Sequence, residues 1–191
     1  MELESFLDDL SSNSPAPGGG SAAALAGALA ASLDSMVAAI TAKKKPEFED
    51  YGRKAREFRD ELVRLMERDS QAFLALMAAW KSKDEAKLAE AAKEAAGVPL
   101  TTAEKCLSAM ALGAELLEKG SKNVITDSAG AVYLGYAGAQ AALLNTRINL
   151  PTVKDEALKQ YLTEKAIVYA QKADSLLKET QAKMDAFFAS K

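Results

Sequence analysis

There is no histidine among the 191 residues. Imidazole zinc sites, Ser-His-Asp triads and imidazole proton shuttles are thereby excluded, and acid–base chemistry falls to carboxylates, lysine, tyrosine, bound water or substrate groups. The single cysteine, Cys106, rules out an intrachain disulfide and fits a reducing compartment. Aromatic residues make up only 6% of the chain and there are five prolines, while alanine abounds; such a sequence favours close-packed helices. Basic excess is missing as well. Lys and Arg number 24 against 27 Asp and Glu, for a net charge of −3, and aromatic–basic interleaving is absent, so no nucleic-acid surface is expected.

The one long apolar stretch, Ser21 to Ile40, follows Glu2, Glu4, Asp8 and Asp9 rather than a basic segment, which is the reverse of a signal sequence. Asp34 interrupts it, and a carboxylate at a membrane centre costs about 2.5–3.5 kcal/mol, which alanine does little to offset. A buried helix in a cytoplasmic protein is expected, with no membrane span.

Helical periodicity runs through nearly everything else. Leu3, Phe6, Leu7 and Leu10 open with a short amphipathic helix, ended by the breaker-rich run Ser11 to Gly20. Ser21 is the expected N-cap of a helix reaching about Ala42, with a smooth face of Ala24, Gly27, Ala28, Ala31 and Ser35. After Lys43-Lys44-Lys45-Pro46, a stripe runs from Phe48 through Leu62, Leu65, Ala72 and Leu76 to Trp80, with Asp69 filling its one gap. An alanine-rich helix from Asp84 is expected to bend or end at Gly97-Val98-Pro99. The next runs from Ala103 to Leu117, with Gly120 as its C′ residue. Thr126 or Asp127 should cap a second small-residue helix ending near Asn145–Asn149. A last helix starts near Asp155. No strand pattern is present. The fold expected is all-α, one domain over 1–191: a bundle of five or six principal helices, dimerising through the small-residue helix faces.

Several polar positions stand out. Gly18-Gly19-Gly20-Ser21 at a helix start exposes backbone N–H groups where an anion is favoured, or else forms a plain turn and cap. Lys43, Lys44 and Lys45 either hold carboxylates or phosphates or form a solvated helix end. Asp69, on an apolar stripe, is either a hydrogen-bonded structural aspartate or a catalytic acid, and Asp34 poses the same choice. Asp127 by position alone reads as a cap. Asn145, Arg147 and Asn149 cluster at a helix end; amides can pair with a heterocycle edge and arginine with a carboxylate. Cys106 sits at core spacing and reads as packing. Ser21 and Lys44 are 23 residues apart, roughly 34 Å along a straight helix, so one small ligand cannot touch both within one subunit. An antiparallel two-fold dimer would bring one subunit's glycine end to the other's lysine end.

Taken in order, Pro17-Gly18-Gly19-Gly20-Ser21, Lys43-Lys44-Lys45, Asp69-Ser70-Gln71-Ala72-Phe73, Val98-Pro99-Leu100, Asn123 with Asp127, and Asn145-Thr146-Arg147-Ile148-Asn149-Leu150 resemble the cyclodeaminase/cyclohydrolase family over essentially the whole chain. Ala16, where the family often has threonine, Pro46 after the lysines, and Ser128 after Asp127 depart from the pattern without removing any of these polar residues. The resemblance implies a dimeric helical enzyme acting on tetrahydrofolate derivatives, polyglutamylated ones included, without metal or organic cofactor. Asp69 and Asp127 would be its catalytic carboxylates, with individual roles unassigned. Asn123, Asn145 and Asn149 would position pterin or bridge atoms. Arg147, Lys44 and the Gly18, Gly19, Gly20 and Ser21 helix start would hold the glutamate tail. The reaction implied is hydrolysis of 5,10-methenyltetrahydrofolate to 10-formyltetrahydrofolate, a reading favoured by the lack of a formiminotransferase segment within these residues. The alternatives are formimidoyltetrahydrofolate cyclodeaminase, releasing ammonia, and a folate-binding helical protein without activity.

Overall fold

The apolar periodicity becomes six α-helices in the computed structural model, which describes residues 2–190. They are α1 (Leu3–Ser11), α2 (Gly19–Ala42), α3 (Glu49–Ser82), α4 (Glu85–Lys119), α5 (Ile125–Asn149) and α6 (Glu156–Ala189). Short 3₁₀ turns at Pro46–Phe48, Lys122–Val124 and Leu150–Thr152 join them, and no strand occurs among the described residues.

Small residues put α2 at the centre, against α3, α4 and α5. A Cβ on Gly138 of α5 would collide with the Ala23 carbonyl of α2, so the two backbones approach as only glycine permits. Gly19 lies beside Asn145, Gly27 beside Gly138 and Leu33 beside Gly130, which makes α2 and α5 antiparallel. Around this pair Leu62, Leu65, Met66, Val98 and Cys106 close one apolar cluster, and Leu100, Leu143, Val153 and Leu162 another. Each such aliphatic side chain contributes about 1.5–3 kcal/mol when fully buried. By length and hydropathy α2 could cross a membrane, but half of its most apolar window is buried inside the bundle.

Four local expectations are corrected. Ser21 is not the N-cap of α2. The helix starts at Gly19 with Gly18 in the cap position, and Ser21, fully buried in the first turn, turns its hydroxyl toward α3. Neither Thr126 nor Asp127 caps α5. The preceding 3₁₀ turn already leads the chain into a helix starting at Ile125, leaving Asp127 in the first turn. Trp80 leaves the buried stripe of α3 and is 49% exposed, because it lies just short of the helix end at Ser82. Finally, α4 neither ends nor splits at Gly97-Val98-Pro99 but runs unbroken from Glu85 to Lys119. Burial of Val98, Pro99 and Leu100 holds that segment helical, and the carbonyl deprived of its donor by the proline finds another one.

Candidate active site

The first turn of α2 leaves backbone N–H groups without helical acceptors, and α3 lays the carboxylate of Asp69 against it. The fit depends on Gly20, where a Cβ would overlap the Asp69 carboxyl group. The Ser21 hydroxyl lies 3.0 Å from Asp69 Oδ2, 2.9 Å from the Met66 carbonyl and 3.1 Å from Ser70 Oγ. Burial pushes the Asp69 pKa above the ordinary carboxylate value, and hydrogen bonds from the Ser21 side chain and backbone partly oppose that rise.

The C-terminal end of α5 supplies two amides. Asn145 packs beside Gly19 and donates its Nδ2 to the Ala141 carbonyl at 2.9 Å. Asn149 donates its Nδ2 to the Ala95 carbonyl of α4 at 2.7 Å. Both amides thus direct their NH₂ groups at backbone and keep Oδ1 as an acceptor. Together with Pro15, Ala16, Gly18, Gly19, Gly20, Asp69, Ser70, Phe73 and Ala95 they line a cleft of about 200 Å³. No cation lines it. Its side chains offer mainly acceptors, an arrangement that suits a cationic or donor-rich heterocycle.

Ser70, Phe73 and Ala95 are lining residues that the sequence reading had not singled out individually. Phe73 lies one helical turn beyond Asp69, so the i, i+4 rule could have placed both on one face. Ala95 has no signal of its own apart from preceding Pro99 by four residues. Arg147 is exposed and does not line the cleft.

The remaining candidates lie at the other end of the α2–α5 pair. Lys44 and Asn123 line a separate groove of about 230 Å³ with Lys43, Lys45, Thr41 and Ser121. Asp127, half-buried, belongs to this end and is not part of the Asp69 cleft. Asp127 and Asn145 share an azimuth on α5, since 18 residues make five turns, but stand about 27 Å apart along it. Within one subunit the predicted residues therefore fall into two separate groups rather than one site. Among the described residues no cluster of three or more acidic or cysteine side chains is placed to hold a metal ion. Cys106 is buried, with its thiol pKa pushed up to about 12 by burial, and packs as expected.

Ser21→Ala removes a hydrogen bond that favours ionised Asp69, so the Asp69 pKa should rise further. If the ionised form is the active one, activity is lost as pH falls through that pKa. The acidic limb of a kcat–pH profile should therefore move to higher pH in Ser21→Ala. An unshifted limb would disconnect Asp69 from the titration.

Bundle and cleft together define an all-helical protein with a polar, acceptor-rich cleft at a helix N-terminus. The chain belongs to the formiminotransferase-cyclodeaminase family, whose model matches residues 2–167. It is 38% identical over 173 residues to a methenyltetrahydrofolate cyclohydrolase of Methylorubrum extorquens, covering 83% of each chain. It is 31% identical over 195 residues to the formimidoyltransferase-cyclodeaminase of Sus scrofa, covering 90% of this chain and 34% of that one. The crystal structure of a formiminotetrahydrofolate cyclodeaminase from Thermotoga maritima superposes with a TM-score of 0.93 at 30% identity, over 98% of both chains.

Proposed function

We propose that this chain is a cytoplasmic one-carbon folate enzyme, a single domain over residues 1–191, that hydrolyses 5,10-methenyltetrahydrofolate to 10-formyltetrahydrofolate without a metal or organic cofactor. The observation that carries the reading is Asp69, a raised-pKa carboxylate held on Gly20 and Ser21 beside two asparagine acceptors. The methenyl bridge is an amidinium cation and already electrophilic, so the site needs to supply water, a proton acceptor and stabilisation of positive charge. Asp69 accepts a proton from the attacking water as its oxygen bonds to the bridge carbon. It returns that proton to N5 as the carbon–N5 bond breaks, and one proton is released overall. Asn145 and Asn149 present acceptors to pterin N–H groups, and the N–H groups of the α2 start beyond the Ser21 one that bonds Asp69 present donors to a carbonyl or carboxylate.

The second reading is cyclodeaminase, closing 5-formiminotetrahydrofolate to the same methenyl compound with release of ammonia. The close superposition on the Thermotoga maritima cyclodeaminase favours it. Decay of methenyltetrahydrofolate absorbance with added protein tests the first reading, and ammonia release from the formimino compound tests the second. Binding without turnover of either would leave a folate-binding protein.

We further propose that the working form is a homodimer in which each site is completed by the other subunit. Between the half-sites runs a face of α2 and α5 without a charged side chain, bearing exposed Leu29, Met36, Tyr133, Leu144 and Ile148. About 35 Å by 20 Å, it offers of the order of 700 Å² per subunit, near the roughly 800 Å² typical of stable interfaces. Among the described residues the cleft end carries Asp69 and no lining cation, whereas the opposite groove carries three lysines and no lining carboxylate. A two-fold axis lying in this face and perpendicular to the helices sets these ends opposite each other, so that one subunit's Lys44, Asn123 and Asp127 meet the other's Asp69. A cleft of about 200 Å³ is also small for a whole folate, polyglutamylated or not, and a partner would enlarge it. Co-refolding Asp69→Asn with Asp127→Asn, each nearly inactive alone, should restore about one quarter of native activity. Half of the dimers would be mixed, each with one intact site. Mixed dimers without recovery would refute the shared site.

A further inference from the structure

We propose that Pro99 is a positioning residue for the cleft, acting through the Ala95 carbonyl on Asn149. In an α-helix the carbonyl of residue 95 accepts from the N–H of residue 99, and proline has none. The ring also crowds that carbonyl and tilts it out of the helix. Ala95 is buried, with 4% exposure, so its oxygen needs a donor from another element. That donor is Asn149 Nδ2, at 2.7 Å, on a residue 54 positions away in sequence.

The missing helical bond is thus replaced by a bond between α4 and the last residue of α5. Helix ends fray, and an asparagine there would otherwise sample several rotamers. Bonded to Ala95, the Asn149 amide has its NH₂ on the backbone, which leaves Oδ1 to accept, on a residue that lines the cleft. Asn145, by contrast, bonds to the Ala141 carbonyl of its own helix and needs no such device. This accounts for a proline inside an otherwise continuous 35-residue helix: it frees one carbonyl at the place where the site uses it.

A double-mutant cycle between Pro99→Ala and Asn149→Ala tests the inference. Its kinetic arm rests on the folate reading above; its stability arm does not. In the native background Asn149→Ala strands a buried carbonyl, and the melting temperature should fall by several degrees. In the Pro99→Ala background the new N–H of residue 99 serves Ala95, and the same substitution should cost little. Kinetically, Pro99→Ala should raise KM for the methenyl substrate about tenfold, the worth of one well-placed hydrogen bond, with kcat within about threefold. Asn149→Ala should match it, and the double variant should be no worse than Asn149→Ala alone.

Equal melting-temperature losses in both backgrounds would overturn the proposal, as would an unchanged KM in Pro99→Ala beside active native enzyme. Native protein inactive on both folates would instead count against the function. The melting-temperature cycle would still decide whether Pro99 and Asn149 are coupled through Ala95.

Discussion

Asp69→Asn is expected to lower kcat for methenyltetrahydrofolate hydrolysis by about 10²- to 10⁴-fold, the usual contribution of a positioned general base. The substitution is nearly isosteric. Its side-chain oxygen can still accept from Ser21, so the half-buried position beside Gly20 should be kept. What disappears is the capacity to take a proton from water and to face a cationic bridge with a negative charge. KM should change less than kcat, because the proton transfer belongs to the transition state rather than to binding. Burial raises the Asp69 pKa, so the native carboxylate carries a desolvation cost that the amide lacks. The melting temperature at neutral pH should therefore hold or rise. Loss of turnover at constant or improved stability is the signature of a residue kept for chemistry. Activity within twofold of native would make Asp69 a structural aspartate.

Asp34→Ala is expected to stabilise the protein by about 1–3 kcal/mol at neutral pH, the cost of a buried polar group without a partner. Asp34 lies in the middle of α2, fully buried, and neither carboxyl oxygen has a hydrogen-bond partner among the described residues. Gly113 of α4 leaves just enough room for it; a Cβ there would lie 2.9 Å from Oδ1. Burial pushes the Asp34 pKa well above the ordinary value, so the folded state holds the carboxyl group protonated where the unfolded chain is ionised. The sign follows from proton counts. Above the unfolded pKa of about 3.9, unfolding releases a proton, and stability falls by about 1.4 kcal/mol per pH unit until pH reaches the raised folded pKa. Urea denaturation of native protein and Asp34→Ala across pH 4 to 8 should show that decline in the native protein, with the two curves diverging as pH rises. Parallel curves would mean that Asp34 is hydrated or paired in solution.

Much of the bundle was legible along the chain because helix formation is local. The 3.6-residue repeat of Ala55, Leu62, Leu65 and Leu76 marks α3, and Asp155 marks the start of α6, whichever neighbours they meet. Errors came where a local rule competes with tertiary contact. Pro99 breaks an isolated helix, yet α4 continues because its flanks are buried and Asn149 serves the stranded carbonyl. Ser21 has the chemistry of a cap, yet its hydroxyl is turned to Met66, Asp69 and Ser70 by the packing of α3.

By itself the sequence determined the helical class, the freedom from histidine chemistry and the polar residues a folate site would draw on, since composition and periodicity need no partner to be read. The tertiary structure alone decided how those residues divide. Asp69 of α3 lies far in the chain from Asn145 and Asn149 of α5, and they meet only because both helices pack against the glycine start of α2. Lys44 and Asn123 are carried by the same two helices to the opposite end. The physical reason is that a rigid helix fixes azimuth and rise together: it can bring distant residues onto one face, but it also holds them tens of ångströms apart along that face.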